Sequence, residues 1–193
     1  METVMNHSIA PHIPPARMED VSVFVGGPIQ HALKKEGMTT EAASPIKAVH
    51  DVIHGMRLHL LSAHLAERFG QDSHNYSPTE VVLRDYDWML QCSLFIAILP
   101  CDSQSQLIRT DGTHIELGWA SSLKKPILVL AQSHSHAQLS HLVKGLACVS
   151  QVKILDLGSV LQKPQILQQA IQAQLPPAGQ DIGPSHLMKN PAR

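Results

Sequence analysis

The chain has 193 residues, enough for one domain that buries a core without disulfide or metal cross-links. Hydrophobic residues make up 44% of it, which excludes a wholly disordered chain. The 15 basic and 16 acidic residues leave a net charge of −1, which argues against nucleic-acid or membrane-surface binding, because both need a positive field. Only 16% of residues are charged, and so weakly charged a surface predicts a homodimer or a larger even homo-oligomer.

Cysteine usage and hydropathy predict the cellular compartment of the protein. The three cysteines are an odd number with no Cys-x-x-Cys or zinc-ligand spacing, which predicts free thiols in a reducing environment. Residues 1–20 lack the apolar run of a signal peptide, and no window approaches the ~18 apolar residues of a membrane span. We therefore expect a cytoplasmic protein. The 13 histidines lack partners at ligand spacing, so neither a metal nor a cofactor is expected.

Short apolar runs alternate with amphipathic stretches along the chain. The runs predict buried parallel strands at residues 21–25, 58–62, 94–99, 126–131 and 152–157. The stretches between and after them predict helices at residues 45–55, 78–91, 112–123, 138–145 and 159–175. This alternation predicts an α/β fold: a Rossmann-like, doubly wound five-stranded parallel sheet in a single domain of residues 21–175. Residues 1–20 are interpreted as a flexible arm and residues 176–193 as a tail.

Ligands of such sheets bind outside the carboxyl ends of the strands, so the segments after the strands carry the candidate site. Gly26 and Gly27 follow the first strand, where glycine lets a backbone approach a ligand closely. Ile29 and Gln30 continue this loop and are candidate binding residues. No dinucleotide fingerprint is present, and an ordinary tight turn is the alternative interpretation.

Two further segments place polar side chains at the same edge. His64 and Glu67 follow the second strand and lie one helical turn apart, so both could contact a ligand. The alternative is a capping box that starts at Ser62 or His64. Asp85 borders the apolar stripe of the helix before the third strand and could point over the strand ends. The alternative there is an exposed acidic turn beside Arg84.

The segment after the third strand is the richest in chemistry. It contributes five candidate binding residues, Arg109, Thr110, Asp111, Gly112 and Thr113. They lead into a helix, and the free N–H groups at a helix start bind anions such as phosphate. Glu116 is predicted in the first turn, at the surface where a nucleophilic carboxylate would be needed. Thr113-x-x-Glu116 is also the pattern of a capping box, and spacing alone does not decide between these interpretations.

In their order, these pieces resemble the nucleoside 2-deoxyribosyltransferase superfamily, which includes the nucleotide N-glycosidases. The resemblance rests on Gly-Gly-Pro after a strand, Ser-Ala-His-x-x-Glu, Arg-Asp-x-x-Trp, Gly-Thr-x-x-Glu-Leu-Gly-Trp-Ala and Lys-Pro-Ile, spread over residues 21–157. It is greatest to the cytidylate N-ribosidases of peptidyl-nucleoside antibiotic pathways. The last long motif, residues 112–120, is the most specific of the set.

The resemblance implies a role for each segment. Glu116 matches the nucleophilic glutamate, and Asp85 matches an aspartate near the ribose and the leaving base. Gly27 and its neighbours match the loop that covers the base, and the helix start at residues 112–113 matches the place of a 5′-phosphate. His64 and Glu67 match a pair that lines the site. A carboxylate beneath C1′ can stabilise, or capture covalently, the oxocarbenium-like centre formed when the C1′–N bond breaks.

The expected function is therefore hydrolysis of the N-glycosidic bond of a CMP-like nucleoside 5′-monophosphate. A nucleoside (deoxy)ribosyltransferase that exchanges bases is one alternative, and a non-catalytic nucleotide-binding sensor on the same fold is another. Ile29 and Gln30 stand where those ribosidases carry an aromatic residue and an arginine, and Asp111 stands where the N-glycosidases carry a small hydroxyl residue. The base and the need for a phosphate stay open at this point.

Overall fold

Continuous apolar runs place the predicted strands at the centre of the protein, as seen in a computed structural model that describes residues 21–35 and 37–175. The parallel strands of the main sheet are β1 (Ser22–Gly26), β2 (His59–Leu61), β3 (Leu94–Leu99), β4 (Ile127–Ala131) and β5 (Val152–Asp156). Their order is β2-β1-β3-β4-β5, and every neighbouring pair is parallel. The predicted α/β fold with one five-stranded parallel sheet in a single domain is confirmed.

Helices cover both faces of this sheet. They are α1 (Thr40–Gly55), α2 (Ala63–Ala66), α3 (Pro78–Gln91), α4 (Asp111–Ser122), α5 (His141–Gly145), α6 (Leu157–Gln162) and α7 (Gln165–Gln174). The side chains of Val23 and Val25 pack with α1, α6 and α7, whereas Phe24 between them packs with α3, α4 and α5. This alternation is the period of two of a strand, and it divides the core into two layers. All six side chains of β3 are buried, because this strand has neighbours on both edges and helices on both faces.

Two helix boundaries differ from the prediction for local reasons. The first helix begins at Thr40, and Pro45, predicted as its start, lies inside it. Proline removes only the bond to the carbonyl of Glu41, and the apolar stripe that continues past it keeps the helix packed on the sheet. The last predicted helix is two helices, because Pro164 disfavours helical geometry at Lys163, whose φ and ψ are −136° and 83°.

The remaining differences are short elements. Leu157, predicted as the end of the fifth strand, begins α6, since Asp156 caps that helix by accepting from the backbone N–H of Ser159. The helix predicted at residues 138–145 is shorter, since α5 begins only at His141, and the 3₁₀ turn at Ser133–Gln138 before it was not predicted. A small hairpin of Leu33–Lys34 and Gly37–Met38 was not predicted.

Strand order fixes where a ligand can enter. The direction of winding reverses between β1 and β3, and such a switch point opens a crevice beyond the carboxyl ends of the two strands. The loops that border it are residues 27–39, after β1, and residues 100–110, after β3. The candidate residues from Gly26 to Gln30 and from Arg109 to Thr113 lie on these two connections.

The predictions about cysteines, membrane spans and the two termini can be compared with the structure only within the described residues. The three cysteines, Cys92, Cys101 and Cys148, are free thiols, as predicted. In residues 21–35 and 37–175, no helix combines the length and the hydropathy needed to cross a bilayer. The cytoplasmic location stays a prediction, and the arm at 1–20 and the tail at 176–193 lie outside the described residues.

Candidate active site

The carboxyl group of Glu116 lies against the last residue of β1. A Cβ built on Gly26 would overlap Oε2 of Glu116 and approach the ring of Phe95 to 3.0 Å, so a larger residue there would force the carboxylate to move. Helix α4 begins at Asp111, which puts Glu116 on its second turn rather than the predicted first turn. Thr110 is the N-cap residue, and neither it nor a Thr113–Glu116 pair makes a side-chain cap bond, so the capping interpretation is wrong.

Burial controls the proton affinity of Glu116. The residue is 8% exposed, and its Oε2 has no hydrogen-bond partner among the described residues. Burial, and next the charge of Asp85, raise the pKa of Glu116 to about 8, while the charge of Arg84 lowers it in part. The ligand-free protein therefore keeps this carboxyl largely protonated at neutral pH. A titratable group so perturbed at a strand-end crevice is a strong candidate for a functional residue.

Asp85 belongs to α3, which packs beside α4. It is buried, and its Oδ1 accepts a hydrogen bond from Nε of Arg84 at 2.8 Å. Burial raises the pKa of Asp85, the hydrogen bond and charge of Arg84 oppose this, and the charge of Glu67 adds to the rise. The alternative of an exposed acidic turn is therefore wrong. Asp85 and Glu116 form a pair of interacting buried carboxyls from neighbouring helices.

Glu67 and His64 leave α2 in different directions. Oε1 of Glu67 accepts from Nη2 of Arg84 at 2.8 Å, and its Oε2 accepts from the hydroxyl of Ser73. Nε2 of His64 lies 3.3 Å from the carbonyl oxygen of Pro28. Ser62 is the N-cap residue of α2 without a side-chain cap bond, so the capping interpretation fails here too. Glu67 therefore joins Asp85 as a second carboxylate partner of Arg84, and His64 supports the loop at residues 26–28.

A second buried histidine, not anticipated as a site residue, lies behind this loop. Burial lowers the pKa values of His50 and His64 to about 4, so both rings are neutral at neutral pH. A neutral His64 donates through Nε2 to Pro28, and a Cβ on Gly27 would lie 3.3 Å from its Cε1. Nε2 of His50 lies 3.2 Å from Oγ of Ser62. His64 thus supports the loop at residues 26–28, and His50 lies beside His64 with the ring centroids 6.4 Å apart.

The predicted phosphate-binding segment lies at the start of α4, and its polar side chains form hydrogen bonds with one another. Arg109 donates from Nε and Nη2 to the two carboxylate oxygens of Asp111 at 2.9 and 2.6 Å, and this ion pair is exposed. That pair lowers the pKa of Asp111. The hydroxyl of Thr110 donates to that of Thr113 at 2.6 Å, and Gly112 is exposed. Arg109 is thus in place to neutralise the carboxylate nearest the helix start.

Ile29 and Gln30, the remaining predicted residues, lie where β1 leads into a 3₁₀ turn. Ile29 is half-buried, and Gln30 is exposed without a side-chain hydrogen bond to any described residue. Beside them a cleft of about 420 Å³ opens between the two loops of the switch point, the size of a small-molecule site. Its lining includes Lys34, Thr39, Glu41, Asp102, Gln104 and Arg109. Glu116 is not part of this lining and lies below the surface.

The acidic side chains of this site do not form a metal centre with other ligands within the described residues. In the part of the chain that the structure describes, no three His, Cys, Asp or Glu side chains are grouped so as to hold a metal ion. The acidic residues near Glu116 are instead satisfied by Arg84. The chemistry that this arrangement can perform is that of carboxyl groups: nucleophilic attack, charge stabilisation and proton transfer.

Comparison with known proteins supports the architecture. The chain matches no protein-family profile and no curated protein at a significant level. A solution structure of BlsM is similar at a TM-score of 0.60 and 24% identity, over 85% of this chain and 100% of BlsM. The CMP N-glycosidase BcmB from Clostridium botulinum is similar at a TM-score of 0.48 and 26% identity, over 75% and 98% of the two chains. A conserved protein from Enterococcus faecalis V583 reaches 0.47 and 13%, over 76% and 98%.

The likeness to BlsM shows that the two chains share a fold over nearly the whole described length. The resemblance carried by the sequence motifs is thereby confirmed at the level of the fold. It is the fold that brings Gly26, Asp85 and Glu116 to one place, since they come from β1, α3 and α4.

The Gly26–Glu116 contact generates a packing prediction. We expect Gly26→Ala to lower the free energy of unfolding by about 1–3 kcal/mol, because the added methyl group overlaps the Glu116 carboxylate. In a protein that already carries Glu116→Ala, the added Gly26→Ala change should lower the free energy of unfolding by less, because the carboxylate that the methyl group overlaps is gone. Urea unfolding measures both effects.

Gly118→Ala is the matched control on α4, since a Cβ there meets no atom within 4 Å. It should stabilise the helix by about 0.5–1 kcal/mol. A Gly26→Ala protein with the unfolding midpoint of the unaltered chain would contradict the close contact.

The raised pKa of Glu116 predicts a pH dependence of stability. An acid whose folded pKa is raised stabilises the fold below its unfolded pKa, and this contribution is lost as pH rises through the folded value of about 8. Each unit of pKa corresponds to about 1.4 kcal/mol, so ionising the buried carboxyl costs several kcal/mol. We expect Glu116→Gln to be more stable than the unaltered chain at pH 8–9, with little difference at pH 4.

The control is Glu80→Gln, an exposed glutamate whose pKa is lowered by its hydrogen bonds with Ser77. This variant should show no gain at alkaline pH. Unfolding by guanidinium chloride between pH 4 and pH 9 is the measurement, and parallel curves for Glu116→Gln and the unaltered chain would refute burial of an ionisable group.

Proposed function

We propose that this protein hydrolyses the N-glycosidic bond of a CMP-like nucleoside 5′-monophosphate, with Glu116 as the nucleophile. One observation carries the proposal: a buried carboxyl lies against a glycine at the switch point of the sheet, its Oε2 has no hydrogen-bond partner within residues 21–35 and 37–175, and a second buried carboxyl acts on it. The ordered motifs that resemble the N-glycosidases point to the same glutamate. The substrate is a small molecule, and neither a nucleic acid nor a membrane is part of the proposal.

The proposed reaction has two balanced steps. The ionised carboxylate of Glu116 attacks C1′, the C1′–N bond breaks, and the leaving base takes the bonding electron pair and a proton. Water then attacks C1′ of the glycosyl ester, restores the carboxylate of Glu116 and forms ribose 5-phosphate. Asp85, whose pKa is raised by burial, is assigned to donate the proton to the leaving base in the first step and to take a proton from the attacking water in the second. Glu116 must lose its own proton before the first step.

The 5′-phosphate is assigned to the start of α4. Free N–H groups at residues 112 and 113 and the guanidinium of Arg109 provide donors there. Asp111 would repel a phosphate dianion, and its ion pair with Arg109 reduces that repulsion. The loop at Gly26 and Gly27 is assigned to the base, with Ile29 and Gln30 at its outer edge.

Two specific observations favour other functions. An aspartate at position 111 suits an unphosphorylated nucleoside, which favours the base-exchanging (deoxy)ribosyltransferase. A Glu116 that holds its proton up to a pH of about 8 is a poor nucleophile at neutral pH, which favours a non-catalytic nucleotide sensor. Hydrolysis is preferred because the helix start offers remote binding energy to a phosphate, which a hydrolase can use to position C1′.

The test of the reaction class is release of free base from a panel of ribo- and deoxyribonucleosides and their 5′-monophosphates. We expect release from CMP, with a rate that rises towards pH 8, and a loss of at least 10³-fold in Glu116→Ala because the nucleophile is removed. Glu80→Gln, which changes an exposed glutamate in the first turn of α3, is the control. Equal release by Glu116→Ala would remove Glu116 from the mechanism, and ligand-induced thermal stabilisation without any release would establish the sensor.

The same assay separates hydrolysis from transfer. CMP, cytidine and deoxycytidine are incubated with and without excess adenine, and the products are separated. Hydrolysis gives the sugar or sugar phosphate in both cases, whereas an adenine nucleoside or nucleotide would establish transfer. Faster cleavage of cytidine than of CMP would refute the phosphate site at α4.

We also propose that two copies of this chain associate through α3 and α4. Val82, Leu83, Tyr86 and Leu90 form an apolar stripe along α3, and each is at least 41% exposed. Ile115 on α4 extends it and is 55% exposed. A stripe on two packed helices suits a second copy, because a two-fold axis presents the same surface twice.

The association predicts a change of mass. We expect Leu83→Glu to convert the dimer into a 21.1 kDa monomer, since it places a charge in the middle of the stripe. Leu142→Glu is the matched control, because Leu142 is 84% exposed on α5, outside the stripe. Light scattering over a range of concentrations measures both, and a monomeric unaltered chain would refute the association.

A further inference from the structure

The guanidinium of Arg84 is held from four directions. Its Nε donates to Oδ1 of Asp85 and its Nη2 to Oε1 of Glu67, each at 2.8 Å. The rings of Tyr76 and Trp88 lie 5.3 and 4.9 Å from its Cζ, within the range of cation–π contact. The side chain is 16% exposed. A long, charged side chain held in this way is fixed in one position.

Glu67, one of the two carboxylates that hold Arg84, is itself anchored. Its second oxygen accepts from the hydroxyl of Ser73, and its side chain is 6% exposed. The chain reaches Ser73 through a tight turn in which Arg68, Phe69 and Gly70 all have positive φ, between 47° and 87°. Side-chain-bearing residues adopt such backbone rarely, and the surrounding structure has to hold them in it. The end of α2 therefore offers Arg84 a rigid support.

The other carboxylate belongs to the candidate active site. Arg84 bonds Oδ1 of Asp85, while Oδ2 receives no hydrogen bond from the described residues. A single fixed oxygen orients the whole carboxylate, so the free Oδ2 has a defined direction. Arg84 thus connects an anchored carboxylate at the end of α2 with the carboxylate of Asp85 on α3.

The positive charge of Arg84 also acts on the acidic residues around it. Glu67 from α2, Asp85 from α3 and Glu116 from α4 are acidic, and the guanidinium of Arg84 lies among them. The charge of Asp85 raises the pKa of Glu116 and that of Arg84 lowers it. Loss of Arg84 would therefore leave mutually repelling carboxyls, and Glu116 would hold its proton to a higher pH.

We propose that Arg84 is a positioning residue of this site, which clamps Asp85 to Glu67 and so fixes Asp85 beside Glu116. The role rests on the proposed function, because it assigns Arg84 to the reaction of Glu116. The clamp needs the planar fork of arginine, which donates to two carboxylates at once, and a lysine ammonium on its flexible stem would replace the charge without the fixed geometry. Arg84 does not touch the substrate in this role.

The test compares Arg84→Gln, which removes charge and clamp, with Arg84→Lys, which keeps the charge only. Two quantities are measured: the titration of the Glu116 carboxyl by ¹³C NMR without substrate, assigned with Glu116→Gln, and the pH profile of kcat/KM for base release from CMP. Arg57→Gln is the matched control, because Arg57 is an exposed arginine before β2 and outside the candidate site. Circular dichroism checks that each variant is folded.

In Arg84→Gln we expect the Glu116 titration and the acid limb of kcat/KM to move up together by about one pH unit. That shift alone makes kcat/KM about tenfold lower at pH 7, a loss that is recovered at alkaline pH, whereas the loss caused by the missing clamp remains at every pH. Arg84→Lys should keep both titrations near their original pH but lower kcat/KM by a similar factor at every pH. Arg57→Gln should change neither quantity.

Each failure has its own meaning. An unmoved Glu116 titration in Arg84→Gln overturns the role of Arg84, whether or not base is released. Release of no base by any variant refutes the proposed function, and the NMR titration then still decides the role of the arginine. If Arg84→Gln does not fold, Arg84→Lys decides alone: kcat/KM equal to that of the unaltered chain at every pH overturns the clamp.

Discussion

The contact between the Glu116 carboxyl and the backbone of Gly26 is the constraint on which the rest of the site depends. Burying a carboxyl whose Oε2 has no hydrogen-bond partner among the described residues is unfavourable, and that cost falls mainly on the ionised form. Strand β1 must end in glycine, and α4 must begin early enough to bring its second turn over that strand. Helix α3 must lie beside α4 so that Asp85 can act on the same group.

The sheet provides the rigidity that this arrangement needs. The central strand β3 is completely buried, and β1 pairs with it along four residues that end at Gly26. Phe24 of β1 packs against both Phe95 and Trp88, and Trp88 also lies against the guanidinium of Arg84. The aromatic core of one layer therefore continues directly into the acidic network. A substitution that alters the packing of these aromatic rings should therefore also alter the position of the Arg84 guanidinium and its ion pairs.

Sequence patterns predicted the sheet well because buried parallel strands have a simple signature. Apolar runs at residues 94–99 and 126–131 need no tertiary context to be interpreted, and their order along the chain restricts the topology. Boundaries were harder where one residue permits two structures. Pro45 commonly begins a helix, yet here tertiary packing keeps it inside one. Leu157 extends an apolar run, but Asp156 ends the strand by capping the next helix.

At the candidate site, sequence identified the carboxyl residues but not what holds them. Glu116, Asp85 and Glu67 stand in recognisable motifs, whereas Glu67 and Arg84 are 17 residues apart and meet only through the fold. The capping patterns at Ser62 and Thr113 also match the sequence rules, but the helices begin at other positions or lack the side-chain bond. A local sequence pattern predicts a capping hydrogen bond, but whether the bond forms depends on where tertiary packing makes the helix begin. The adjacency of arginine to aspartate on an amphipathic helix was the one local sign of the network.

The overlap that a Cβ at Gly26 would suffer links two positions far apart in the sequence. Any chain of this fold with a larger residue at the end of its first strand has to move or lose the glutamate of its fourth helix. The pair should therefore vary together among distant relatives, with glycine retained wherever the glutamate is. A chain that has given up both would have kept the architecture and lost the carboxyl chemistry, which makes the last residue of β1 a marker of what such a protein can still do.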